Sequence, residues 1–193
     1  MGCAMDPREL LCDVMKTLHE RGLLNVKGGN ASIRGKGNYI WITPSKQPKH
    51  RLSPEDIILM YFDSKYVGTS PPSIESKMHL YIYKTYNWVN AVVHAHNPLT
   101  TLVFDLGLDV NINDFVESKV SMPCIEVVDR LPPGSEDLAR SVRDAVGRCP
   151  VVILRGHGVV AVGKDIYSAL NAIEALEDLC RAVLIKNTYR KLI

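Results

Sequence analysis

The sequence predicts an α/β fold in which helices pack on a mostly antiparallel sheet. Short apolar runs at 39–43, 57–62, 91–96, 122–128, 150–154 and 159–162 have the length and composition of strands. Stretches with a 3.6-residue apolar period lie among them. The decisive observation is the link Arg155-Gly156-His157-Gly158 between two apolar runs. It is too short for the crossover a parallel pair needs, so those strands pair antiparallel. Runs of this kind mixed with helices argue against a doubly wound parallel sheet.

At 193 residues and 46% hydrophobic content, the chain supports one sizeable core, so a single domain over residues 1–193 is expected. Its 23 basic and 21 acidic side chains leave a formal charge of +2 with no long block of one sign. That excludes the usual signatures of nucleic-acid and membrane-surface binding. No apolar run approaches the roughly 20 residues of a membrane span, and no basic start leads into an apolar leader. The cysteines, Cys3, Cys12, Cys124, Cys149 and Cys180, are odd in number and dispersed. Reduced thiols in a cytoplasmic protein are therefore expected.

A loose start over residues 1–5 precedes the first helix. Asp6 caps it, Pro7 takes its first position, Leu10, Leu11, Val14, Met15 and Leu18 form its apolar stripe, and Gly22 stops it. A glycine turn, Gly28-Gly29, enters a strand over 30–34, joined as a hairpin to the strand at 39–43 through Gly35, Gly37 and Asn38. A polar, basic loop runs from Thr43 to Arg51, and Ser53-Pro54-Glu55-Asp56 is a helical turn before the strand at 57–62. Ser73 opens a helix reaching about Tyr86, the strand at 91–96 follows, and Asn97-Pro98 begins a helix to Leu106. Residues 107–120 read ambiguously, with an apolar turn near Phe115. After the strand at 122–128, Ser135 caps a helix to about Gly147, and a long helix over 165–192 closes the chain.

The strand at 91–96 ends in His94-Ala95-His96. Side chains alternate along a strand, so both imidazoles face one way and can offer two nitrogens to one metal ion. Such a pair equally suits half-buried polar residues at a strand end. His157, between two glycines at a hairpin tip, is a third candidate, or else a turn histidine in solvent. Glu75, just after Ser73, suits a metal ligand, a general base or a helix cap. Three histidines with one glutamate form a set that zinc accepts. His79, four residues after Glu75, stands as a lesser candidate, and His19 and His50 read as surface residues. Gly28-Gly29-Asn30, Thr43-Pro44-Ser45-Lys46 and the helix start at Ser73 offer N–H groups, hydroxyls and a cation for an anion. Metal beside anion site suits a phosphorylated sugar.

The set Gly29-Asn30-Ala31-Ser32, Ile42-Thr43-Pro44-Ser45, Pro72-Ser73-Ile74-Glu75, His94-Ala95-His96 and Gly156-His157-Gly158 resembles the class II aldolase/adducin family over residues 8–190, nearest to its L-fuculose-1-phosphate-cleaving type. The resemblance implies a three-layer α/β/α fold around a mostly antiparallel sheet, and a homotetramer with sites near subunit boundaries. It implies that His94, His96, His157 and Glu75 bind the metal, Zn2+ with Mn2+ or Co2+ as alternatives. It makes Glu75 the base, and Gly29, Asn30, Ser45 and Ser73 the phosphate site, where Lys46 stands in place of a glycine. The implied reaction cleaves a ketose 1-phosphate to dihydroxyacetone phosphate and a small aldehyde through a metal-stabilised enediolate. Ribulose-5-phosphate 4-epimerases and methylthioribulose-1-phosphate dehydratases share that metal site. Adducin-like interaction modules lack the histidines, which this chain keeps. Ile74 and Val127 depart from the type, which has Ser and Tyr there.

Overall fold

The structure, a computed structural model, describes residues 5–190. The expected loose start at residues 1–4, with Cys3, and the end of the last helix beyond 190 lie outside them. In chain order the elements are α1 (Pro7–Glu20), β1 (Asn30–Arg34), β2 (Tyr39–Ile42), β3 (Ile58–Tyr61), β4 (Tyr66–Val67), α2 (Ser76–Thr85) and β5 (Ala91–Ala95). Then come α3 (Pro98–Asp105), α4 (Val116–Ser121), β6 (Glu126–Val128), α5 (Glu136–Val146), β7 (Val151–Leu154), β8 (Gly158–Gly163) and α6 (Ile166–Arg190).

One eight-stranded sheet runs through them in the order β4-β3-β2-β1-β5-β8-β7-β6. Every neighbouring pair is antiparallel except β6 and β7, which run parallel. Strand alternation splits the apolar residues between two cores. On β5, Ala91, Val93 and Ala95 pack with α1, α3 and α6, whereas Val92 packs with α2 and α5. Helices therefore cover both faces, and the layered α/β/α architecture with a mostly antiparallel sheet is what the residues form.

β5 lies at the centre, with Asn30 of β1 opposite His94 on one side and Val160 of β8 opposite it on the other. The expected hairpins form: β1 pairs with β2 and β7 with β8. Among the described residues no helix is long and apolar enough to cross a membrane.

Four expectations are corrected, and one ambiguous stretch is resolved. α2 begins at Ser76, not Ser73. The Ser73 N–H is bonded to Thr43 O at 3.1 Å, and Pro72 bridges Pro44, so this segment is pinned in extended form beside β2 before the helix opens. The strand expected at 122–128 is only Glu126–Val128, because Met122 still closes α4 through Ser118 O and Pro123 follows. The ambiguous stretch holds a turn at Ile112–Asp114 and α4. His19 and His50 are not solitary surface residues: their rings stack at 4.3 Å. Finally, Cys124 and Cys149 form a disulfide, with Cα atoms 5.8 Å apart, rather than staying as thiols. Each lies two residues before one of the parallel neighbours β6 and β7, so the sheet brings them side by side across 25 residues of sequence. Cys12 and Cys180 are free.

Candidate metal and anion site

His94 ends up fully buried on the α2 side of the sheet. Its Nδ1 lies 2.9 Å from Val159 O. A carbonyl only accepts, so Nδ1 carries the proton and Nε2 keeps a free lone pair. His96, just past β5, receives the Gly29 N–H at Nε2 over 3.4 Å. His157 comes from the β7–β8 turn, which packs tightly onto the end of β5: a Cβ on Gly158 would lie 2.1 Å from Ala95 O. Only glycine permits that approach. His157 is thereby half-buried against its partners instead of waving in solvent. Ring centroids lie 5.1 Å (His94–His96), 4.8 Å (His94–His157) and 5.4 Å (His96–His157) apart, and one nitrogen from each falls within 4.8 Å of the others.

Glu75 occupies the N-cap position of α2 yet makes no capping hydrogen bond. Its carboxylate turns to the histidines, with Oε2 3.3 Å from His94 Nε2 and Oε1 3.8 Å from His157 Nε2. Asn30 Nδ2 donates to Oε2 at 2.8 Å. The amide is oriented in turn by His79, whose Nε2 lies 2.6 Å from Asn30 Oδ1 and whose Nδ1 lies 2.6 Å from Ser32 Oγ. Tyr83 OH closes this chain 2.9 Å from Ser32 Oγ. With Asn30 Nδ2 spent on Glu75, Oδ1 must accept, so His79 donates from Nε2 and accepts from Ser32 at Nδ1. His79 is therefore no ligand; it holds the residue that holds Glu75.

Charges follow this geometry. Burial pushes His79 down to about 3 and, with His94 and His157 beside it, His96 down to about 4, so both imidazoles stay neutral at ordinary pH. Burial, then His94, lowers His157 too. For Glu75 burial opposes ionisation, but His94, the Asn30 amide, His157 and His79 outweigh it and hold the carboxyl below its usual value. Imidazole nitrogens around a carboxylate are the donor set of a borderline divalent cation. Two of those donors, His94 Nε2 and Glu75 Oε1, are buried with no hydrogen-bond partner. Buried polar atoms are rarely left so, and a metal ion held by the three histidines and Glu75 fits them.

A cavity of about 430 Å³ opens beside this cluster. All five residues expected to hold phosphate line it: Gly29, Asn30, Ser45, Lys46 and Ser73. Glu75, His96 and His157 reach its wall, while His94 lies behind. The bond from Ser45 N–H to Pro71 O at 2.9 Å and that from Ser73 N–H to Thr43 O stitch the two serine loops together. Those bonds also change the expected chemistry. The Ser73 N–H is not an open helix terminus; the Ser45 and Ser73 hydroxyls and the lysines are donors on this wall. Lys27 and Lys49, not singled out from the sequence, line the cavity as well. The one available signal was the spacing of Lys46 and Lys49, three residues apart in a loop already read as basic.

The sequence profile of the class II aldolase and adducin N-terminal domain family matches residues 9–184. An L-fuculose phosphate aldolase of Methanococcus maripaludis is 36% identical over 174 residues, covering 90% of this chain and 93% of its own. A methylthioribulose-1-phosphate dehydratase of Methylococcus capsulatus is 31% identical, covering 88% of each chain. In three dimensions the chain is similar to the L-fuculose-1-phosphate aldolase of Thermus thermophilus, with a TM-score of 0.85, 26% identity and 95% of each chain covered. The chain belongs to the class II aldolase and adducin family, whose enzymes among these relatives are lyases.

Proposed function

We propose that the chain is an aldolase that cleaves a ketose 1-phosphate of the L-fuculose 1-phosphate type to dihydroxyacetone phosphate and a small aldehyde, using zinc. The observation that carries this reading is a buried glutamate between two histidines at the edge of a lysine- and serine-lined cavity. His94, His96, His157 and Glu75 would hold the ion. A bound zinc supplies Lewis-acid polarisation of the substrate oxygens at the reacting carbons. Among the described residues Glu75 is the one carboxylate lining the cavity, and turned toward the substrate it would move the proton at the carbon that joins or leaves the aldehyde. Asn30 steadies that carboxylate through Nδ2, and His79 fixes the amide face. Ser45, Ser73, Lys46 and the Gly29 turn anchor the phosphate. Only the reacting bond is then left to orient.

In this reading the protein works as a homotetramer with sites near subunit boundaries. The dehydratase relative, matched over 88% of the chain, supports a second reading on the same residues: loss of water from a methylthioribulose 1-phosphate.

The test is metal content in the purified chain and in its His94→Ala variant, followed by assays with both sugar phosphates. About one zinc per chain, lost in the variant, together with release of dihydroxyacetone phosphate from L-fuculose 1-phosphate, supports the aldolase. Turnover of methylthioribulose 1-phosphate alone moves the reading to the dehydratase. A chain that takes up no metal when zinc is supplied loses the proposed centre.

A further inference from the structure

We infer that Lys49 makes the anion subsite selective for a dianionic phosphoryl group over a carboxylate. The inference rests on the reading that this cavity takes a phosphorylated substrate.

Lys49 is only 2% exposed, yet it lines the same cavity as Ser45, Lys46 and Ser73. Its backbone N–H bonds Val26 O at 2.8 Å, which fixes the residue beside the Lys27-Gly28-Gly29 turn. Its Nζ donates to Pro44 O, the carbonyl immediately before Ser45. An ammonium has three protons to give, and among the described residues this is its one hydrogen bond; no carboxylate pairs with it. A buried cation without a counter-ion is costly, and an incoming negative group would complete it. Burial pushes Lys49 down to about 8, which leaves it charged at neutral pH and makes an incoming anion its natural complement.

The surroundings point the same way. Lys46 holds a backbone φ of +60°, a conformation glycine adopts freely and other residues adopt at a cost, and its side chain also borders the cavity. Lys27 stands at the rim. Among the described residues three cations thus line a cavity whose single carboxylate, Glu75, is turned to the histidines. A monoanionic carboxylate would leave two of those charges uncompensated; a phosphoryl dianion leaves one, and can give one oxygen to the buried ammonium and others to the serine hydroxyls.

The experiment titrates the full chain, with zinc supplied, with inorganic phosphate and separately with acetate. It compares the unaltered protein, Lys49→Gln, Lys49→Met and Lys84→Gln. Glutamine keeps a donor for Pro44 O while removing the charge, and Lys84, exposed near the end of α2, controls for net charge. The unaltered chain should prefer phosphate over acetate by about tenfold or more, and Lys49→Gln should weaken phosphate by about tenfold while barely changing acetate. KM for the phosphorylated substrate should rise to match, with kcat nearly unchanged. Lys84→Gln should behave as the unaltered chain.

Phosphate affinity unchanged in Lys49→Gln and Lys49→Met would overturn the inference and leave Lys49 as a pin between loops. So would an unaltered chain that binds phosphate no better than acetate, whether or not the variants fold. Phosphate binding that disappears when zinc is removed would place the anion on the metal and overturn it as well. An unaltered chain that binds no phosphate at all would remove the phosphorylated-substrate reading along with this one.

Discussion

A buried carboxylate stays ionised only where fixed donors outweigh the loss of water, and Asn30 is the fixed donor at Glu75. Glu75→Gln keeps the shape and an oxygen for Asn30 but removes the base, so turnover should fall by about 10²–10⁴-fold, read as kcat in a steady-state assay. Near-normal turnover would place the base elsewhere. His79 leads to a second prediction, about acid. In the folded chain it takes up a proton only near 3, but unfolded it does so near its ordinary 6.5. Between those values the unfolded state binds more protons. The stability tied to His79 is therefore intact above about 6.5 and is lost as pH falls toward 3, at up to about 1.4 kcal/mol per pH unit. Urea titrations of the unaltered chain and His79→Leu between pH 6 and 4 should show a shallower slope in the variant. Equal slopes would mean that His79 is not the titrating group. The variant should also turn over more slowly, because Asn30 would lose its orienting partner.

At the level of elements, α2 carries Glu75 at one end and is moored at the other. The Arg34 guanidinium, from β1, donates to the carbonyls of Tyr83, Tyr86 and Val89 at 2.8 Å each, where the helix would otherwise end on open acceptors. Arg34→Met should cost about 2–3 kcal/mol by urea unfolding, since three acceptors lose a charged donor at once, while leaving metal content unchanged. A loss below about 0.5 kcal/mol would show that water replaces the guanidinium freely.

The same element shows what the sequence makes legible. His94 and His96 were readable because strand alternation is a local rule, and His157 because flanking glycines mark a turn. The start of α2 was not, because Ser73 looks like a cap and only the distant Thr43 carbonyl diverts its N–H. Glu75 could be singled out by type and place, but its choice between capping and facing the histidines was settled by Asn30, which lies 45 residues away in sequence. Lys49 stayed hidden because nothing local tells a buried lysine from the exposed ones beside it. The pairing of Cys124 with Cys149 stayed hidden because it follows from one parallel neighbour pair in an otherwise antiparallel sheet.

At the scale of the molecule, the disulfide closes a loop of 25 residues that contains α5 and the β6–β7 crossover. In the chain-entropy account, reducing it should lower stability by about 3 kcal/mol, seen as an earlier urea midpoint with a reductant present. Non-reducing peptide mapping should recover Cys124 and Cys149 linked, and free thiols at both positions would refute the pairing. The order of the sheet has a further consequence, for how the chain is made. β5 carries His94 yet is flanked by β1, already synthesised, and by β8, about 60 residues still to come. Until residue 163 has left the ribosome, the strand bearing His94 has one bare edge, and the hairpin bearing His157 does not exist. During that interval a nascent chain presents an apolar, unpaired strand to its neighbours, which is the condition under which strands join between molecules. A ribosome that pauses before β8 should therefore yield aggregated chains, and one that pauses after it should not.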